Sequence, residues 1–526
     1  MFERSPPTPP PHVSGPDDLD ILLTAAEAYP AFERAVLAAE HEIVAGFRIF
    51  DFSTKLRTPE ALKIGTDWFD LMLHTIRRGV SVRMVLSDFD PVVGTELHGG
   101  TWRSMAMATA LNELAGEAGR LQIMASLHPA SVGAVAKVAL LPQVRSLLDG
   151  RLRRTTKRGD RALSRFLARH PRFAALTART GGRLRPRIWP LPSLWPVTHH
   201  QKVAVIDEAV TYIGGLDLNE RRWDTLRHEG PSDETWHDVQ LLVRDADVAA
   251  AIKTHLEEFV EGIEGAATPS DLGGVILRTL SAKTEGRPSL FAPRPVLAEI
   301  EAALLDEIAH AERFIYIETQ FLRDRRIARA LARRAREQPS LQLMVVLPGA
   351  PEDVAYMGAT RSDARFGEYL QFSCIRKLRR AFRGRIFVGS PVQPRTAQGT
   401  GRDTLHGAPL VYVHAKVCVI DDGFAMVGSA NLNGRSLRWD TELALPIRDR
   451  AIATHLRERC LRHWCGDMEE VDALLSPETA VPAWQRLALE NARRKPETRQ
   501  GFLVPYLTGP ARRFGRSLPA MPEEIV

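Results

Sequence analysis

Between Leu19 and Glu40, apolar residues recur at spacings of three and four, which predicts a helix. "EIVAGFRIFDF", starting at Glu42, predicts a strand ending near Asp51. "DWFDLMLHTIRRG" then predicts a helix, and "VSVRMVLSDFD" the strand after it. The second half repeats this plan. "VLAEIEAALLDEIAHA" predicts a helix, "RFIYIETQFL" a strand, "RRIARALARRAREQ" a helix and "LQLMVVLPG" a strand. A shared order of helix, strand, helix and strand marks an internal duplication even where the residues differ. Alternating strands and helices predict α/β layering with a partly parallel sheet in each half.

Each half then reaches the same short motif. "THHQKVAVIDEAVTYIGGLDLN" runs from Thr198 to Asn219, and "VHAKVCVIDDGFAMVGSANLN" from Val413 to Asn433. Both hold His, any residue, Lys, four residues and Asp, with Gly seven residues after the Asp. The apolar runs predict strands, and His and Lys two apart share a strand face. Each copy therefore presents an imidazole and an ammonium together. The Asp follows the apolar run, near the strand's end. One such pattern is weak. Two copies are specific, because both continue with Gly at the same offset, then Asp217 or Asn431, then Asn219 or Asn433. Brought face to face, two imidazoles and two lysines suit a phosphate. One histidine attacks phosphorus, the other protonates the leaving oxygen, and the lysines neutralise the non-bridging oxygens.

The chain has 526 residues, with a hydrophobic share of 44% and a charged share of 25%. That is ordinary for a folded protein of two or three domains. The boundaries read from the sequence are a Pro-rich disordered tail at 1–18, an N-terminal lobe at 19–268, a C-terminal lobe at 269–475 and an extension at 476–526 made of one helix and an extended tail. The first lobe carries an insertion at about 127–194. Four cysteines without a CxxC pair exclude a disulfide framework and argue against a zinc knuckle. No apolar stretch has the length of a membrane span, and the N-terminus lacks a signal-peptide pattern, so a cytoplasmic or peripheral-membrane location is expected, with non-classical export left open.

The net charge of +6 is unevenly spread. From Arg145 to Arg187, fourteen Lys or Arg face Asp149 and Asp160, a local surplus of +12. Within it, "RALSRFLARHPRF" places Leu163, Phe166 and Leu167 on one helical face, ringed by Arg161, Arg165, Arg169 and Arg172. Such a helix suits an anionic lipid surface; a nucleic-acid contact or a solvated helix packed on its own domain are the other readings. "RIWPLPSLWP" adds Trp189, Leu191, Leu194 and Trp195, either at an acyl-chain entrance or in ordinary core packing.

The motifs resemble the phospholipase D superfamily, whose hallmark is a duplicated HxKxxxxD motif, and within it phospholipase D proper. "GGLDLNERRWDT", "TWHDVQLLV", "IYIETQF" and "GSANLNGRS" followed by "DTE" are similar to further segments of that family and span roughly Ile43 to Trp464. Thr319 and Arg221 depart from its pattern, where Asn and Gly are usual. The resemblance implies two α/β lobes related by a pseudo-twofold axis, with mixed sheets flanked by helices and one site between them. It places His200, Lys202, Asp207, His414, Lys416 and Asp421 in the catalytic set, with His200 as nucleophile and His414 as general acid and base. The order of the two histidines is open, and Asp207 and Asp421 read as structural. Asn219, Asn431, Asn433 and Ser429 are expected on the substrate, with Asp238, Glu442, Asp217, Glu318 and Gln320 in support. No metal and no cofactor is expected, because the lysines supply the positive charge.

The resemblance further implies a monomer that hydrolyses the distal phosphodiester of glycerophospholipids to phosphatidic acid, with an alcohol able to replace water. A cardiolipin synthase-like transferase and a nuclease use the same residues. The first is disfavoured because no N-terminal membrane helix is seen; nucleic acid is not the expected partner. A non-catalytic binding protein of this lineage is expected to have lost a motif residue, and all six are present.

Overall fold

The apolar run of each motif becomes a central strand because both of its faces are covered. The computed structural model describes residues 18–116, 121–181, 183–187, 189–283, 293–519 and 521–526; the expected disordered tail falls, at 1–17, outside the described residues. In the first half, apart from a two-stranded hairpin (Thr177–Thr180 and Arg183–Pro186) in the insertion, the strands are β1 (Leu19–Leu23), β2 (Glu42–Phe47), β3 (Ser81–Ser87), β4 (Leu121–Ser126), β5 (Lys202–Ile206), β6 (Val210–Gly214) and β7 (Val239–Arg244). They form a seven-stranded sheet in the order β1-β7-β6-β5-β2-β3-β4. The second half contributes β8 (Leu277–Lys283), β9 (Pro293–Ala298), β10 (Phe314–Thr319), β11 (Gln342–Val346), β12 (Ile386–Pro391), β13 (Lys416–Ile420), β14 (Phe424–Gly428), β15 (Glu442–Ile447) and β16 (Leu503–Pro505). Its nine-stranded sheet runs β9-β8-β15-β14-β13-β10-β11-β12-β16.

Without its two edge strands, β9 and β16, the second order repeats the first position by position. The directions repeat as well. The pairs β2–β3 and β3–β4 are parallel, as are β10–β11 and β11–β12. Each motif strand pairs antiparallel on both sides, β5 with β2 and β6, and β13 with β10 and β14. The fold is thus α/β, with mixed sheets flanked by helices.

Residue alternation along the motif strands shows how the layers stack. Val203 and Val205 of β5 lie in the same core as Val417 and Val419 of β13, so the two sheets share their inner faces. Ala204 and Ile206 belong to an outer core beneath helices Thr24–Ala38 and Trp68–Arg77. Cys418 and Ile420 lie in the matching outer core beneath helices Glu299–His310, Arg325–Glu337 and Ser362–Phe382.

Several elements differ from the expectation. The first helix starts at Thr24, because Leu19, Ile21 and Leu23 alternate inward as an edge strand before it. Val296 and Leu297 likewise belong to β9, and the helix after them begins at Glu299. The C-terminal extension is no loose tail. Its β16 pairs with β12, a short helix covers Thr508–Phe514, and Glu523 and Glu524 bind Arg438 at 3.2 and 2.7 Å.

The basic insertion folds on a small core that includes Val144, Leu148, Leu152 and Phe173, together with Val92 from outside it. Leu163, Phe166 and Leu167 pack against that core, which corrects the picture of an apolar face free for lipid. Arg172 is also spoken for: its Nε lies 2.7 Å from the buried carboxylate of Asp88. Arg161, Arg165 and Arg169 remain exposed. Of the two tryptophans, Trp189 is 78% exposed, while Trp195 is partly buried and its backbone N–H donates to Asp90. No described helix is long and apolar enough to cross a membrane.

Candidate active site

Two reciprocal bridges between the halves bring the motifs together. His200 N–H donates to the carbonyl of Thr441 at 2.8 Å, and His414 N–H donates to the carbonyl of His237 at 2.7 Å. Each histidine thus docks beside the residue that precedes an acidic side chain of the opposite half, Glu442 or Asp238. The two imidazoles end up with ring centroids 6.5 Å apart.

Each ring is held through Nδ1. In His200, Nδ1 lies 3.1 Å from the Ser429 carbonyl and 3.1 Å from Glu442 Oε2. A carbonyl only accepts, so this nitrogen carries the proton and Nε2 keeps its lone pair. In His414, Nδ1 lies 2.6 Å from Asp238 Oδ2. A carboxylate behind an imidazole fixes its tautomer and stabilises its cation. Lys202 and Lys416 are buried beside them, each donating to the carbonyl of its own motif histidine.

Electrostatics separates the two histidines. Burial drives both well below the usual imidazole value, and the neighbouring lysines and arginines push the same way. Burial also lowers Lys416 to about 7 and lowers Lys202 in the same direction. Glu442 is pushed up to about 8 by burial and by nearby Asp440. Asp238 rises through burial, with Lys416 opposing the shift. At neutral pH, His200 therefore faces an acid that holds its own proton.

The other expected residues divide. Asn431 lies buried, with its Oδ1 unpaired. Its counterpart Asp217 accepts from Ile49 N–H at 3.0 Å and lies 4.0 Å from Lys202 Nζ, so the two halves are not equivalent in charge. Asp207 and Asp421 do not join the imidazoles. Each turns at positive φ and accepts three backbone N–H bonds, from Glu40, His41 and Glu42 or from Glu312, Arg313 and Phe314. They fasten the start of the neighbouring strand, so their catalytic placement is corrected.

The substrate-binding expectation also changes for three residues. Asn219 and Asn433 cap the turns that follow them, accepting from Arg221 N–H at 2.9 Å and Ser436 N–H at 3.0 Å. Ser429 donates through Oγ to Glu442 at 2.5 Å, so it orients the carboxylate behind His200. Its counterpart is Gly215, where any Cβ would fall 2.2 Å from Asp238. Gln320 donates to the Tyr412 hydroxyl at 2.9 Å. Glu318 faces away from the imidazole pair and accepts from His237 at 2.9 Å.

Sequence reasoning missed the outer ring of the site. Trp236 lies against His414, with ring centroids 4.7 Å apart, and Arg222 sits over the other part of that stack, 3.6 Å from the Trp236 ring. Partly buried Arg48 acts on both His200 and Lys202, and its buried Nε has no partner among the described residues. Arg48 and Asn219 also line a cavity of about 190 Å³ with Asp51, Glu96, Arg103 and Ser104. The signal for Trp236 and Arg222 was present in the quoted "TWHDVQ" and "NERRWDT" segments. Arg48 follows β2 and had none.

Known proteins resemble this chain at low identity. A profile described as "Cardiolipin synthase, PLD-like domain" matches residues 304–464. Phospholipase D gamma 1 of Arabidopsis thaliana is 23% identical over 435 residues, covering 58% of this chain and 50% of its own length. Phospholipase D1 of Saccharomyces cerevisiae is 26% identical over 413 residues, covering 58% of this chain and 24% of its own. These matches support the phospholipase D superfamily for this chain, which spans about half or less of the length of these curated relatives. Among solved structures, the phosphatidylserine synthase of Haemophilus influenzae Rd KW20 aligns over 91% of this chain and 95% of its own, at 11% identity and a TM-score of 0.48.

Proposed function

We propose that this protein is a phospholipase D, cleaving the distal phosphodiester of glycerophospholipids through a phosphohistidine. The observation that carries the reading is the facing pair of imidazoles, 6.5 Å apart, each backed through Nδ1 by a carboxyl from the opposite half. A phosphorus between them has a nitrogen on either side.

His200 Nε2 attacks phosphorus, and the bond to the head-group oxygen breaks. That oxygen takes its proton from His414 Nε2. Water or an alcohol then loses a proton to His414 and attacks, and the P–N bond breaks. Two features support this order of roles. His200 has its Nε2 lone pair free and a largely neutral Glu442 behind it, which suits a nucleophile. His414 sits 2.6 Å from Asp238, which suits a group that must carry a cation. An arriving anionic phosphodiester offsets the lysine and arginine charges that hold the His414 proton affinity down. Lys202, Lys416 and Asn431 hold the non-bridging oxygens.

A phosphatidyltransferase is the second reading, favoured by the cardiolipin synthase profile over residues 304–464. Purified protein with mixed phospholipids, with and without ethanol or phosphatidylglycerol, separates the two by mass spectrometry. Phosphatidic acid with released head group, and phosphatidylethanol when ethanol is present, is the expected result. Cardiolipin as the dominant product selects the transferase. In a parallel incubation with DNA, cleavage of the DNA while the lipids stay intact contradicts both.

A further inference from the structure

Behind the catalytic pair lies a second histidine cluster that the mechanism does not use. His228, His237 and His463 each offer a ring nitrogen, and these nitrogens all lie within 4.8 Å of one another. His228 and His237 are fully buried. Both are held from behind by a buried carboxylate. His228 Nδ1 lies 2.6 Å from Asp224 Oδ2, and His237 Nε2 lies 2.9 Å from Glu318 Oε2. This leaves His228 Nε2 and His237 Nδ1 facing inward, and His463 Nε2 lies 3.0 Å from the former. His237 Nδ1 is buried with no hydrogen-bond partner.

A network of imidazoles alone accounts for this poorly. One proton serves the 3.0 Å contact between His228 and His463, but nothing serves His237 Nδ1. Among the described residues, besides the two imidazoles, Asp224 accepts from the backbone N–H groups of Thr225 and Trp236, and Glu318 from Tyr316 and Trp464; no lysine or arginine joins either carboxyl.

We infer that His228, His237 and His463 bind one divalent transition metal, of which zinc is the best match. Imidazole nitrogens backed by carboxylates are the arrangement that orients histidine on zinc. Three nitrogen donors with no carboxylate facing inward favour zinc over calcium or magnesium. Zn–N bonds of about 2.0–2.1 Å in a tetrahedron separate the nitrogens by about 3.3 Å. The 3.0 Å pair already has that spacing, and the metal draws the third ring in. Trp464 and Phe502 pack on the rings, and His463 is only partly buried, so water can take the fourth position of the tetrahedron.

The metal's place defines its role. His237 immediately precedes Asp238, and its carbonyl receives the His414 N–H at 2.7 Å. His463 lies on helix Arg450–Cys465 of the other half. The metal therefore ties the two halves together directly behind Asp238 and positions that carboxylate; it does not touch the phosphate.

The test uses full-length, untagged protein incubated with zinc chloride and desalted, with metal counted by plasma mass spectrometry. About one zinc per chain is expected, and cobalt in its place should give the intense visible bands of a tetrahedral site. His463→Gln should retain less than about a tenth as much. A chelator should lower the Tm of wild type and leave that of His463→Gln unmoved. Retention below about a tenth of an equivalent in wild type overturns the site, as does equal retention in the variant. Should the variant not fold, the wild-type stoichiometry and cobalt spectrum decide alone: no binding, or a pale octahedral spectrum, overturns it.

Discussion

Replacing either His200 or His414 by Ala removes one side of the same displacement. On the proposed mechanism each single variant loses about 10²–10⁴ in kcat, and the double variant is little worse than either, because the two act as one unit. Steady-state kinetics on a soluble diester checks this; a single variant keeping more than about a tenth of the activity contradicts it. Lys416 makes the site pH-sensitive. With its value lowered to about 7, it loses its charge in the free protein as pH rises through that point, so kcat/KM should fall above about pH 7. A profile flat from pH 6 to about 9 is inconsistent with Lys416 as a phosphate ligand. Glu442 gives a stability test with a definite sign. Its folded value, about 8, lies above the ordinary 4.5, so the folded state binds more protons between these values. Its contribution is complete below 4.5 and is lost as pH rises through 8. Glu442→Gln, which cannot ionise, should therefore gain in Tm relative to wild type as pH rises from about 5 to about 8. A gap that stays constant across that range counts against a proton held on Glu442.

The helices and strands that carry strong periodicity were legible without coordinates. The two motif strands could be read because they are apolar on both faces, and both faces prove to be covered. Other elements could not. Helix Thr95–Ala115 buries Thr95, His98, Thr101 and Ser104 on its inner side, so polar residues hide its period. Leu19–Leu23 fits period two and period three-to-four at once, and only its pairing with β7 decides. The caps Asn219 and Asn433 looked like ligands because they recur in register. They recur because each ends the same turn. The insertion was legible as basic, but not as packed, since the core it folds on also draws in Val92, well before it in the chain, and Leu194 at its end. This divides its arginines. Reversing exposed Arg161, Arg165 and Arg169 to Glu should weaken binding to anionic vesicles at least about tenfold, at on the order of 1 kcal/mol per basic residue near the surface, and leave Tm unchanged. Arg172→Ala should instead cost about 1–3 kcal/mol of stability, because Asp88 is left buried without its cation. Vesicle co-sedimentation and thermal melts of both variants separate these outcomes; unchanged sedimentation of the triple variant means the arginines are merely solvated.

The whole molecule explains why one chain carries the motif twice. Each half supplies a histidine and a lysine, but the carboxyl behind each histidine comes from the other half. Neither half contains a finished site, and the shared core between the sheets holds the two in register. That the halves complete each other was implied by the duplication. The crossing of carboxyl partners was not, because Asp238 and Glu442 lie 38 and 28 residues beyond their own motif histidines and nothing in the spacing says which ring each serves. The account's central claim is that the crossed pair divides its labour, with His200 taking the phosphorus. A His414→Ala variant given a phosphatidyl ester of p-nitrophenol tests it most directly. This leaving group departs without an acid, and the resulting adduct has no base to release it. After quenching in alkaline denaturant, peptide mass spectrometry should find a phosphatidyl group on His200, accompanied by a burst of p-nitrophenol of about one per site. No adduct, or an adduct on any other residue, contradicts the account.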